Sequence, residues 1–494
     1  MAGILSNANQ AWIQTNEILP KTRELVDSLA GYHYVPHYLY DEESLALLQT
    51  AYEALRKCVY LLDLEQAPIH RLPDDLLLVI FTIARDSQDT GIDTVRTQIP
   101  FSVSCVSHAW RDVAFSAPLL WTKVVISPPW IPVTVFRHLY FSRPCLIDLE
   151  ITSQPRMAFE PHHIPLLCDT IIQNLSRCRS IVISYPTNDA FFPSLMEKFK
   201  MLSAPHLVQL SILGHPSTSD SNAVILRGGT PSLRYARLQN FDCYPSLHTI
   251  TMLHLRIMDS SAWFQVASAL QLSPQLRSFM IFNDSPTLRT WGQVVDTPAL
   301  KTLHLCGYVS IIEAAFSTIR APNLVHLIVG IPDAGTTLRT VCSRVTAPHF
   351  PSLKSLMLLP WGLGSRPTEK AFRALWTCFP NIETLILAER ASPREELRAL
   401  LQSARESKTI WRNLKVLALE GALCRDAEDR LCEYVSICRF RDYPLATLYL
   451  KDASPHQMPR FKTLQSHIVV IPLPHYLHAE ELVKGTHPLG YGDL

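Results

Sequence analysis

One phrase recurs along this chain and restricts its fold more than any other feature. It has the form Pro-x-Leu-x-x-Leu-x-Leu. Copies read "PCLIDLEI" (144–151), "PHLVQLSI" (205–212), "PSLRYARL" (231–238), "PSLHTITM" (245–252) and "PQLRSFMI" (274–281), then "PALKTLHL" (298–305), "PNLVHLIV" (322–329), "PSLKSLML" (351–358) and "PNIETLIL" (380–387). Looser copies are "RCRSIVIS" (177–184), "RNLKVLAL" (412–419) and "YPLATLYL" (443–450). Most copies begin about 24 to 33 residues after the one before, the mark of a repeat array. In each copy the last two apolar positions alternate, as Leu303 and Leu305 do, so both face one side of a strand. Leu300 anchors the turn that leads in, and Pro298 holds the preceding residue extended, which stops any helix before the strand begins. Nine copies carry proline at that offset, which explains much of an unusual balance of 36 Pro against 16 Gly. Helix-forming stretches lie between the phrases: "SAWFQVASALQL", "SIIEAAFSTIR", "TEKAFRALWTCF", "REELRALLQSAR" and "DAEDRLCEYVSIC". The copy at 245 follows its predecessor too closely for this rhythm, and an irregular turn or a hairpin is expected there.

Strand, loop and helix at this period resemble leucine-rich repeats of the longer, helix-bearing kind. The resemblance implies an α/β solenoid with a parallel sheet on the concave face and helices on the convex face; the rival architecture is an ordinary α/β sheet. The family's regular form places Asn or Cys after Leu-x-Leu, where this chain has His215, Asp284, Tyr308, Trp361 and Ala422, so uneven curvature is expected. If the Leu-x-Leu side chains point into the core, their neighbours point to the concave side: Met280, Phe282, His304, Ile328, Met357, Leu359, Ile386 and Tyr449. That row is apolar for a face open to water. Two readings follow. The row binds an apolar or extended segment of a target protein, or the tail after Ser454 folds back over part of it, the second being favoured. Within the tail, "HIVVIPL" is apolar enough to add a strand or to pack.

A second feature is the stretch "IHRLPDDLLLVIFTIA" (69–84). Pro73 suits the first turn of a helix, and Asp74 and Asp75 complement the helix dipole there. A helix is expected from about Pro73 to Arg85. It carries two apolar stripes, the first Leu76, Ile80 and Ile83, the second Leu77, Phe81 and Ala84. A helix apolar all round is buried, either deep in its own core or between its own domain and a partner. After a polar loop comes "FSVSCVSHAWRDVAFSAPLLWTKVVI" (101–126), in which Val103, Val106, Trp110 and Val113 recur at helical spacing.

Taken in order, Leu72-Pro73, Ile80-Phe81, Val106 to Trp110-Arg111 and Pro118 to Trp121 resemble an F-box. The resemblance implies a small helical module whose apolar surface binds the Skp-family adaptor of cullin-based ubiquitin ligases. The residues it points to are Leu72, Pro73, Leu76, Leu77, Ile80, Phe81, Val106, Trp110, Leu120 and Trp121, with the second stripe of the first helix as the docking surface. The loop between the helices is longer than the family's usual one, which leaves the middle helix open. The plain alternative is an ordinary helical core segment over Ile69–Ile126. The Arg-Leu-Pro opening and the proline-led phrases are also similar to the large F-box families of mushroom-forming fungi.

Composition narrows the function. With 45 basic against 44 acidic side chains and no basic run, the chain lacks the footprint of a nucleic-acid binder. The start "MAGILSNANQAWIQ" has no signal-peptide pattern, no apolar run is long enough to span a membrane, and the 12 cysteines are scattered, as reduced intracellular thiols are. Cytoplasmic or nuclear residence is expected, with no nucleic-acid or membrane partner. Nucleophile elbows, phosphate loops, dinucleotide glycines and zinc-protease motifs are missing, so no enzyme, no cofactor and no metal is expected. His162–His163 reads as a loop or cap, and His475, His478 and His487, near Glu480 and Glu481, as solvated tail residues. Cys432 and Cys438 read as packing, and Arg439 and Arg441 as a solvated face rather than a site for an acidic or phosphorylated segment.

Four regions are expected. Residues 1–66 form a helical hairpin or coiled-coil-like region around the amphipathic run Leu45, Leu48, Ala51 or Tyr52, Leu55, Val59 and Leu62. Residues 67–126 are the F-box, 127–452 the repeat array, and 453–494 a proline-containing tail. The expected function is recruitment. The F-box docks to a Skp-type adaptor, and through it to a cullin scaffold, while the array presents a protein substrate. The alternative is an adaptor-binding scaffold without a degradative role, and a cryptic hydrolase is the remote third.

Overall fold

The computed structural model describes residues 50, 53, 72–86, 99–128, 132–152, 159–185, 191–214, 223–239, 243–257, 263–283, 294–331, 349–360, 369–388, 394–405, 411, 413–419, 425–443, 445–451 and 469–473. The pairing expected within residues 1–66, the loop 87–98 and the tail apart from 469–473 lie outside them, as do His215, Asp284, Trp361 and Ala422. The chain divides into two compact units, Met1–Leu120 and Trp121–Leu494. Among the described residues no helix is long and apolar enough to cross a membrane.

In the first unit, helices α1 (Asp74–Asp86), α2 (Ile99–Ser104) and α3 (His108–Phe115) pack on one another. The Pro73 carbonyl accepts from the N–H groups of Leu76 (3.0 Å) and Leu77 (3.1 Å), so the helix starts where proline, lacking an N–H, loses nothing. The periodic run Val103–Val113 is two helices rather than one. Ser107 breaks it with extended backbone and caps α3, its hydroxyl accepting from the Trp110 N–H at 3.2 Å.

In the second unit, the strands of one sheet are β1 (Lys123–Ile126), β2 (Ile147–Thr152), β3 (Cys178–Tyr185), β4 (Gln209–Gly214), β6 (Tyr235–Gln239), β8 (Met252–Ile257) and β9 (Ser278–Asn283). They continue as β11 (Thr302–Gly307), β13 (His326–Ile331), β14 (Ser355–Pro360), β15 (Thr384–Leu387), β16 (Val416–Leu419), β17 (Thr447–Lys451) and β18 (Val469–Leu473). All 14 lie side by side in chain order, and every pairing is parallel. Two short parallel pairs, β5 (Ala223–Val224) with β7 (Cys243–Tyr244) and β10 (Val295–Asp296) with β12 (Ile319–Arg320), lie outside the main sheet. Among the described residues, helices fill eight of the connections between neighbouring strands of this sheet: α4 (Pro132–Phe141), α5 (Ile164–Asn174), α6 (Phe191–Phe199), α7 (Trp263–Gln271), α8 (Val309–Thr318), α9 (Glu369–Cys378), α10 (Arg394–Arg405) and α11 (Arg425–Phe440). This is the α/β, solenoid-like architecture expected of the phrase. The tail adds β18, so the sheet extends past residue 452, and β18 pairs along β17 instead of lying across the sheet.

Hydrogen bonds show why the phrase takes its form. The Leu300 N–H donates to Thr297 (3.2 Å), that of Leu324 to Ala321 (3.1 Å) and that of Leu353 to Phe350 (3.2 Å). Each of these three phrases therefore opens on a β-turn with proline in second place, where its fixed φ fits. The carbonyl after the anchoring leucine then accepts twice from the next repeat: Lys301 O takes the Val325 (2.9 Å) and His326 (3.0 Å) N–H groups. The copy at 245 obeys the same rule three residues on. Ile250 donates to Leu247 (3.2 Å), His248 stands where other copies have proline, and Leu253 pairs with Ala236. The strands β6 and β8 are parallel, so of the two alternatives expected here, an irregular turn or a hairpin, the hairpin is ruled out. A parallel partner must be reached by a crossover, and the chain between Gln239 and Met252 is just long enough to make one.

Leu300, Leu303 and Leu305 and their counterparts in other repeats enter one continuous core with helix residues such as Ile311, Ile312 and Phe316. At its start lies Trp121, fully buried, its ring 5.1 Å from His138 and 5.0 Å from Phe141. The His138 Nδ1–H donates to the Trp121 carbonyl at 3.3 Å. Burial pushes the imidazole pKa down to about 4, the backbone hydrogen bond only partly opposing it. The unfolded chain takes up a proton here below about pH 6.5, the folded chain only near pH 4. Stability from this group is therefore full above pH 6.5 and is lost as pH falls towards 4. The expected loss is about 3 kcal/mol, and pH-resolved urea denaturation of His138→Leu should lack that part of the acid limb.

Candidate functional site

In α1 the two stripes have opposite fates. Leu77 and Phe81 are 3% and 1% exposed, and the Phe81 ring lies 4.9 Å from that of Trp110. Leu76, Val79, Ile80 and Ile83 are 47%, 53%, 43% and 62% exposed. Residues spaced three and four apart share a helix face, so these four aliphatic side chains make one apolar stripe in contact with water. Burying each against a partner would be worth about 1.5–3 kcal/mol before the costs of association. Val106, Phe115 and Leu119 of the same unit are exposed as well.

Of the residues expected at the adaptor surface, Leu76, Ile80, Val106 and Pro73 are exposed, and Leu72 and Trp110 are half-buried. Leu77, Phe81, Leu120 and Trp121 are corrected: all four are buried and serve cores, so the open stripe is the first, not the second. Val79 and Leu119 were missed. Val79 lies three residues from Leu76, on the flank of the first stripe that faces away from the second, and the "PLLW" motif drew attention to Leu120 and Trp121 rather than to Leu119.

As an open target-binding surface the apolar row on the sheet needs correction; the favoured reading, cover by the tail, falls mostly on residues outside the described ones. Register places Met280, His304, Ile328, Met357, Ile386, Ala418 and Tyr449 side by side on the face opposite the main core. Ile328, Met357, Ile386 and Ala418, with Ala388, are buried as a second apolar cluster, against which Leu359 and Tyr449 pack. Phe282 and His304 are also buried, and Met280 is half-buried. These strands have both faces sealed, as near-continuous apolar strands of parallel sheets do. Earlier strands carry polar groups on the same face. The Tyr235 hydroxyl and His254 Nδ1 are 3.1 Å apart, Arg237 lies in register with His254, and the Arg256 guanidinium sits 5.1 Å from the Phe282 ring centroid. Burial pushes the Tyr235 hydroxyl up to about 12, with Arg237 acting against it.

Two groupings have the makings of chemistry. Cys306 Sγ lies 3.0 Å from His304 Nε2, within reach of a nucleophile and its base, but both residues are buried and present nothing to a substrate. Among the described residues, Glu160, His162 and His163 gather closely enough to hold a metal ion. Cys438 is buried, with its thiol pushed up to about 11 by desolvation, and Arg441 donates to the Arg405 carbonyl at 3.2 Å.

No protein-family profile matches the chain. No curated protein matches it. Among solved structures, a Bacteroides fragilis protein determined as a structural-genomics target aligns at 15% identity over 67% of this chain and 65% of that one, with a TM-score of 0.26. The alignment spans just under two thirds of that protein's length, and a likeness at this TM-score says nothing of function.

Proposed function

We propose that this protein is an F-box subunit that recruits a substrate to a Skp-cullin-F-box ubiquitin ligase. Adaptor binding is assigned to the first unit and target binding to the second. The observation that supports this most is the stripe Leu76, Val79, Ile80 and Ile83, open to water on a helix whose other stripe is buried. An apolar face of this kind is a partner surface by default, and it lies inside the stretch whose motifs are in F-box order. Target recognition is assigned to the polar half of the sheet face around Tyr235, Arg237 and His254, because the apolar half is already buried.

Co-purification with a Skp-type adaptor tests the reading. Ile80→Asp with Ile83→Asp should weaken adaptor capture at least about tenfold, which is ~1.4 kcal/mol, and leave the circular dichroism spectrum unchanged because both side chains are exposed. Adaptor binding that is indifferent to the pair would reject the assignment. Cullin in the purified complex identifies a ligase receptor; adaptor without cullin identifies the non-degradative scaffold.

A further inference from the structure

Glu160, His162 and His163 stand outside everything assigned above. They form the approach to α5. Glu160 holds the cap position of a short 3-10 turn, Pro161–His163, yet its side chain makes no capping bond. Instead both imidazoles turn towards one of its oxygens. His162 Nε2 lies 3.3 Å and His163 Nδ1 3.5 Å from Glu160 Oε2. The two ring centroids are 4.0 Å apart, and the three candidate ligand atoms all lie within 4.8 Å of one another.

Two imidazoles and a carboxylate are the ligand set of a zinc ion that keeps its fourth position for water. With ligand bonds of 2.0–2.1 Å, the edge of such a tetrahedron is about 3.3 Å. The two nitrogen–oxygen separations already have that length. Glu160 and His162 are well exposed, so an ion can reach the site without opening the fold. We propose that Glu160, His162 and His163 bind a divalent transition-metal ion of the zinc type, with water completing the tetrahedron. The ion would tie the approach loop to α5, whose Ile164, Leu167, Cys168 and Ile171 are buried in the main core. The sequence signal was the doubled histidine after Glu-Pro; without the turn geometry nothing distinguished it from a cap.

The test uses the full-length chain and zinc ion alone, followed by isothermal titration and thermal melting. The wild type should bind one more zinc ion than the double variant His162→Ala, His163→Ala, whose remaining thiols and imidazoles provide the background. Glu160→Gln should weaken that additional site at least about tenfold. Zinc should raise the melting temperature of the wild type more than that of the double variant. Copper(II) bound to the wild type should show two imidazole nitrogens by electron spin-echo spectroscopy, and fewer in the variant. Equal zinc stoichiometry and equal affinity in wild type and double variant would overturn the proposal, as would equal thermal shifts.

Discussion

A single methyl group added at Gly307, in Gly307→Ala, should destabilise the sheet unit by about 3–5 kcal/mol and lower its first melting transition. Gly307 closes β11 opposite Asn283, with φ at +114°. A Cβ there would lie 2.0 Å from the Asn283 carbonyl oxygen and 2.8 Å from its carbon. Those atoms belong to the backbone of the neighbouring strand, so no flexible side chain can move aside. Gly229→Ala separates the two causes. Its φ is +110°, but no atom lies within 4 Å of the added carbon, so only the left-handed backbone is strained, at about 1–2 kcal/mol. If the two variants melt alike, close strand approach is not what requires glycine at 307.

Phe316→Ala should cost a similar amount, about 3–5 kcal/mol. The Phe316 ring meets Phe350 at 5.7 Å and Phe379 at 5.6 Å, edge-on in both cases, and all three are buried. These rings come from successive repeats, so truncation opens a cavity shared by three of them. Phe316→Leu keeps most of the volume and should lose clearly less. Thermal melting followed by circular dichroism ranks the variants, and an alanine variant as stable as the leucine variant would show that the cavity collapses.

Much of the array was legible because its determinants are local. Leu303 and Leu305 declare a strand face by alternation alone, and Leu300 marks the turn. The frame at 245 was misread because Pro245 mimics the phrase, whereas the turn is built by Leu247 to Ile250. The fate of Ile328, Met357 and Ile386 was not legible, since alternation tells which face a residue takes but not whether that face is covered. In α1, spacing delivered two stripes but could not choose between them. The choice depends on Trp110, which lies beyond a loop and packs on Phe81. The boundary at Trp121 was hidden for the same reason: its partners His138 and Phe141 belong to a helix with no motif of its own.

Spatial order in the sheet is the order of the chain, and each strand pairs only with those beside it. Duplication or deletion of one whole unit would therefore leave every other pairing intact, with no rethreading. Genes encoding such an array are free to grow or shrink by unequal exchange, and relatives should differ in length by steps of about one repeat, roughly 24 to 33 residues.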